Sequence, residues 1–127
     1  NKIELQQFVV TGDSFAPGDI IPISLSWVAE RPLDERYKVF LHLVNADGAI
    51  AAQQDSEPMG GMFPTTSWQP GDVVTDNQGV LLPLETAPGE YKLLVGLYNA
   101  NDPGERLLVK DSEAQQDHIV LGSIHIE

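Results

Sequence analysis

Cysteine is absent from the 127-residue chain. That removes disulfides, thiol nucleophiles and zinc–thiolate centres, and leaves the compartment open. Basic side chains are scarce: 7 Lys and Arg stand against 19 Asp and Glu, for a formal net charge of −12. Nucleic acids and anionic lipid surfaces are bound through Lys/Arg patches, so neither is an expected partner. No run of about 18 apolar residues occurs, so direct membrane insertion is not expected. The sequence also has no G-x-S-x-G, no H-E-x-x-H and no phosphate-cradling glycine loop. It is therefore read as non-enzymatic, with no cofactor and no metal centre. The chain opens at Asn1 directly on a patterned segment rather than a leader. It reads as a single domain, 1–127, belonging to a longer protein.

What is present is alternation. In 20–28, Ile21, Ile23, Leu25 and Trp27 share one face. Tyr37, Val39, Leu41 and Leu43 do so in 37–45, and Tyr91, Leu93, Val95 and Leu97 in 90–99. Period two is the signature of a half-buried strand. Further strands are expected at 2–10, 49–55, 72–76, 79–85, 105–110 and 117–126, and a helical turn only at 111–117. Pro22 has no N–H to donate, which predicts an edge or bulge there. Turn signals punctuate the runs: Ala16-Pro17-Gly18-Asp19, Asn45-Ala46-Asp47-Gly48, Gln69-Pro70-Gly71-Asp72, Ala87-Pro88-Gly89-Glu90 and Asp102-Pro103-Gly104-Glu105. Proline presets φ and glycine supplies φ > 0 in such turns. The fold class that follows is all-β: an immunoglobulin-like or fibronectin-type sandwich of two antiparallel sheets with seven to nine strands.

Residues 56–71 break the alternation yet hold Met59, Met62, Phe63 and Trp68. Four large apolar residues in one loop predict an ordered, packed segment. The outer faces of 37–45 (Phe40, His42, Val44) and 90–99 (Leu94, Gly96, Tyr98) are unusually apolar. The loop is expected to cross them, with Trp68 or Phe63 seated over the bare Gly96. Tyr91, after Pro88-Gly89-Glu90, is a tyrosine-corner candidate whose hydroxyl should reach a carbonyl in 84–88.

The series VFLHLVNADG (39–48), QQD (53–55), Pro58, TSWQPGD (66–72), Asp76 and PGEYKLLVGLYNANDPGERL (88–107) carries a resemblance over residues 16–126. It resembles the extracytoplasmic β-sandwich domains attached to bacterial multispanning membrane proteins of the dolichyl-phosphate-mannose mannosyltransferase kind. The resemblance implies a periplasmic or cell-surface location and a partner in the parent membrane domain or another protein. It also implies that any catalysis belongs to the membrane part.

Five side chains are candidates for ligand contact: His42, Asp55, Trp68, Asp76 and Tyr98. His42 is either a ligand-contacting imidazole or a buried one hydrogen-bonded to Asp55 or a backbone carbonyl. Asp55 and Asp76 could hold a cation or a sugar hydroxyl, or merely cap turns. Trp68 and Tyr98 could stack on a sugar or pack beneath the loop, whereas Trp27 and Tyr37 belong to the core. Asn99, Asn101, Asp102, Asp111, Glu113 and Asp117 could supply calcium oxygens, although no EF-hand spacing exists. His118 and His125, seven apart, face opposite sides of a strand unless a bulge near Gly122 intervenes. The function expected is a non-catalytic accessory or interaction domain of a bacterial envelope protein, with a carbohydrate-binding module as the alternative and a small enzyme with an Asp/Glu pair as the second alternative.

Overall fold

The computed structural model describes residues 3–107, 109–111 and 114–127, the side chains at 109–111 and 114–116 excepted. Two β-sheets face each other across one apolar core. The strands are β1 (Ile3–Val10), β2 (Ser14–Phe15), β3 (Ile20–Ala29), β4 (Tyr37–Val44), β5 (Ile50–Ser56), β6 (Val73–Leu81), β7 (Gly89–Asn99), β8 (Asp102–Leu107), β9 (Val109–Asp111), β10 (Ala114–Gln116) and β11 (Ile119–Ile126). One sheet runs β10-β9-β1-β3-β6, and the other runs β2-β11-β7-β4-β5 with β8 also paired to β7. Pairing is antiparallel except for β1 with β9 and β2 with β11. Eight of these strands have six residues or more, within the expected number. The architecture is an immunoglobulin-like β-sandwich.

The alternation places the core. Ile21, Ile23, Leu25 and Trp27 from β3 meet Tyr37, Val39, Leu41 and Leu43 from β4 and Leu93, Val95 and Leu97 from β7 in one buried cluster. Burying a Leu or Ile side chain is worth about 1.5–3 kcal/mol, so this cluster is the main source of stability.

Several local expectations are corrected. Pro22 lies in β3, which is flanked on both sides. The Pro22 carbonyl accepts the Thr11 N–H at 3.0 Å, and the register of β1 ends at Val10 opposite Ile23. The absent N–H faces Thr11, just past the end of β1, so the missing bond falls at the margin of the ladder. The segments 72–76 and 79–85 are not two strands: β6 continues through Asn77 and Gly79, in register with β3 from Val73 to Leu81. Positions 111 and 114–116 are strand rather than helical turn.

Tyr91 forms the corner. Its hydroxyl donates to the Ala87 carbonyl at 2.6 Å. Tyr91→Phe keeps the ring and removes that bond, so denaturant unfolding should show a loss of about 0.5–1.5 kcal/mol. An unchanged midpoint would mean that the bond contributes nothing.

Candidate ligand-binding face

Residues 56–71 lie elsewhere than expected. They pass from β5, the edge of one sheet, to β6, the edge of the other, through 3₁₀ turns at Pro58–Gly61 and Thr65–Ser67. The loop closes the open side of the sandwich and leaves the outer face of β4 and β7 uncovered. The buried Thr65 hydroxyl donates to the Glu35 carbonyl and accepts the Tyr37 N–H. Arg36 pairs with Glu57 at 2.7 Å. Trp68 enters the core cluster between the sheets. Phe63 packs partly against it, while Met59 and Met62 point to solvent.

Gly96 does make room, but for a different ring. A Cβ at Gly96 would collide with the edge of Phe40, and it would stand 2.7 Å from the Asp117 carbonyl oxygen. Phe40, on the outer face of β4, therefore lies flat across β7. It is capped by the Arg106 guanidinium 4.5 Å from its centroid. The apolar outer face is sealed by its own side chains, so the loop is not needed there. Only the topology reveals that β8 returns beside β7 and delivers Arg106.

Around Phe40 the face is polar and accessible. The His42 ring lies 4.7 Å from that of Phe40 and tilted by 39°, and the Tyr98 ring is stacked with it at 6.4 Å, the planes 25° apart. The Tyr98 hydroxyl donates to Asp55 Oδ2 at 2.9 Å. Burial, reinforced by that bond and the Asp55 charge, pushes the phenol up to about 12, so it remains a donor at neutral pH. Burial holds the His42 imidazole below its ordinary value; Asp55 opposes this and Arg106 adds to it. Gln53 pairs with His42, and Asp55 with Phe40, across β4 and β5. Beyond His42 the face continues into a trough of about 510 Å³. Its lining includes the apolar Val44, Leu94 and Val120 and the polar Lys92, His118 and Ser123.

The five candidates thus divide. His42, Asp55 and Tyr98 come together on this face. Trp68 and Asp76 lie inside the closed edge, Asp76 accepting from the Met59 N–H at 2.8 Å and Gln78 Nε2 at 2.6 Å.

Among the described residues the candidate calcium oxygens form no cluster of acidic ligands. Asn99 Oδ1 caps the Asn101 N–H, and Asp117 engages His118 and Arg106. Glu113 and the Asp111 side chain lie outside the described residues. Among the described residues no three His, Cys, Asp or Glu side chains are grouped as metal ligands.

His118 and His125 share the outer face. The pairing of β11 with β7 shifts between Val120 and Gly122. Inward residues before the shift are Ile119 and Leu121; after it they are Ile124 and Ile126. The bulge reverses parity and brings both imidazoles outward. His118 Nδ1 is 2.8 Å from Asp117 Oδ1, a bond that holds the Asp117 carboxyl below the usual carboxylate range. His125 pairs with Glu90 on β7. A bulge is set by pairing and leaves little trace in sequence, since Gly122 hints at one without locating it.

No protein-family model and no curated protein matches the chain. Solved structures do match. The C-terminal domain of wzt superposes with a TM-score of 0.63 at 14% identity, over 99% of this chain and 74% of that one. A Niemann-Pick type C2 protein from Japanese carpenter ant gives 0.61 at 8% identity, over 100% of this chain and 94% of that one. The sporulation control protein Spo0M from Bacillus subtilis gives 0.61 at 16% identity, with this chain spanning half its length. At such identities the likeness is one of fold. No helix among the described residues is long and apolar enough to cross a membrane.

Proposed function

We propose that this domain is a non-catalytic, extracytoplasmic accessory module that holds a saccharide on the outer face of its six-stranded sheet, beside a sugar-transferase-like membrane domain of its parent protein. The observation that carries the reading is the uncovered grouping of Tyr98, His42, Asp55 and Gln53. Sugar recognition uses ring faces for C–H surfaces and fixed polar groups for hydroxyls. Tyr98 and His42 offer the rings, and Asp55 and Gln53 offer an acceptor and an amide. Had the loop covered these rings, an interaction domain without sugar contact would have been the better reading. The loop closes the gap between β5 and β6 instead, and that objection does not arise. The parent and the location follow from the sequence resemblance alone.

A glycan array followed by calorimetry tests the proposal. Saturable binding near or below about 100 μM is expected for one glycan class, equivalent to about 5–6 kcal/mol. Tyr98→Ala should abolish it at unchanged melting temperature, with no hydrolysis of the bound glycan. Absence of binding across the array, or binding indifferent to Tyr98→Ala, defeats the reading.

A further inference from the structure

All three histidines of the chain stand on the outer face of one sheet, two of them because of the β11 bulge. Each faces a carboxylate: His42 feels Asp55, His118 bonds Asp117, and His125 bonds Glu90. The same face holds three of the seven basic side chains. Lys38 and Lys92 share the parity of Phe40 and Tyr98, and Arg106 lies over Phe40. Charged groups approach each imidazole from its neighbouring elements. His42 has Asp55 on β5 and Arg106 on β8, with the Tyr98 phenol on β7. His118 has Asp117 and, across the trough on β7, Lys92 and Glu90. His125 has Glu90 and, at the margin, the turn residue Asp13, whose carbonyl accepts its N–H. Asp47 sits in the turn at the other end of the trough.

The charge is therefore uneven. With neutral imidazoles, the strand side chains on this face, taken with the Asp117 that engages Arg106, balance: Lys38, Lys92 and Arg106 against Asp55, Glu90 and Asp117. The remaining four basic and sixteen acidic side chains of the chain hold the whole formal charge of −12. An anion approaching these side chains meets no net negative charge, and protonating the imidazoles turns the set cationic.

From this asymmetry, and resting on the saccharide reading above, we propose that the preferred ligand is an acidic saccharide, a chain bearing carboxylates, and that the face grips it more tightly as pH falls. Arg106 offers a guanidinium suited to a carboxylate. His118 lines the trough, and His125 pairs with Glu90 at its margin. Imidazole charges near pH 6–7, whereas a uronate remains ionised down to about pH 4. The sign is fixed: an anion stabilises the protonated imidazole, so binding strengthens as pH drops through its titration. Burial disfavours the charged form of His42, so it joins after the other two.

The probes are tetragalacturonate and neutral maltotetraose, titrated by calorimetry into the full chain at about 20 mM salt, where screening is weak. Tetragalacturonate should bind roughly tenfold more tightly at about pH 5.5 than at about pH 7.5, within the usual range for two coupled binding events. Maltotetraose binding should change little. A His118→Asn, His125→Asn double variant should keep its fold, checked by its melting temperature, and lose most of the pH dependence. Tetragalacturonate binding that is flat with pH, or that persists in its pH dependence in the double variant, overturns the inference. If maltotetraose binds in a Tyr98-dependent manner while tetragalacturonate shows no gain on acidification, the saccharide reading stands and this inference alone falls. If neither sugar binds but the array yields another glycan, this inference alone falls; if the array is blank as well, both fall.

Discussion

Trp68→Ala is expected to cost about 3–5 kcal/mol, the range for removing a buried large aromatic. The indole is only 2% exposed and belongs to the cluster that joins both sheets. Its Nε1–H donates to the Phe63 carbonyl at 3.0 Å, and its backbone N–H donates to the Thr65 carbonyl at 3.1 Å. Truncation empties core volume at the closed edge and frees the Phe63 carbonyl, so the loop loses its anchor together with its packing. For a domain of this size the melting temperature should fall by roughly 10–20 °C. Met62→Ala, four-fifths and more exposed in the same loop, should stay within about 0.5 kcal/mol. A Trp68→Ala loss below about 1 kcal/mol would show that the indole is not a core residue. Because Trp68 supports the edge, its substitution cannot report on ligand contact, and the binding test belongs to Tyr98.

How much was legible in the sequence depends on whether a feature is local or made by pairing. The inward faces of β3, β4 and β7 follow from period two, and the Tyr91 corner follows from a turn and a tyrosine at fixed spacing. Grouping His42 with Tyr98 needed one topological inference, that their strands are neighbours, and the register of His42 with Leu94 and Lys38 with Tyr98 supports it. The loop was harder. Its composition says that it must pack, but not against which surface. Phe40 filling the space above Gly96 closes one option, and the gap between β5 and β6 opens the other. In β6 the Asp76-Asn77-Gln78-Gly79 run reads locally as a break. Nine register pairs with β3 override that local preference, as tertiary pairing commonly does. The histidines of β11 show the same limit in reverse: parity counting is sound until a bulge resets it.

The loop's other fastening is Asp76, and Asp76→Ala is expected to cost about 2–4 kcal/mol, because it removes the acceptor of two hydrogen bonds at a buried position. The carboxylate is 1% exposed, and it sits in the middle of a chain of bonds. Ser56 on β5 donates to Gln78 Oε1 at 3.0 Å. Gln78 Nε2 donates to Asp76, and so does the Met59 N–H. One side chain thus connects the edge of each sheet to the loop between them. Met59 bears the strain of that arrangement, with φ at 56°, a left-handed conformation that costs a non-glycine residue roughly 1 kcal/mol or more. A charge-assisted bond to its N–H offsets that cost. Asp76→Asn provides the discriminating control. Its Oδ1 can still accept from Met59. If the Gln78 amide turns over, Gln78 Oε1 accepts from the new Nδ2 and Gln78 Nε2 donates to the Ser56 hydroxyl, so every partner is satisfied again. Asp76→Asn should therefore lose no more than about 1 kcal/mol. Equal losses for the two variants in urea unfolding would show that the negative charge itself, rather than the pattern of acceptors, holds the edge closed. Hydrogen exchange at the Met59 amide should rise steeply in Asp76→Ala and little in Asp76→Asn, since local opening of the loop then needs only the rupture of its weaker contacts.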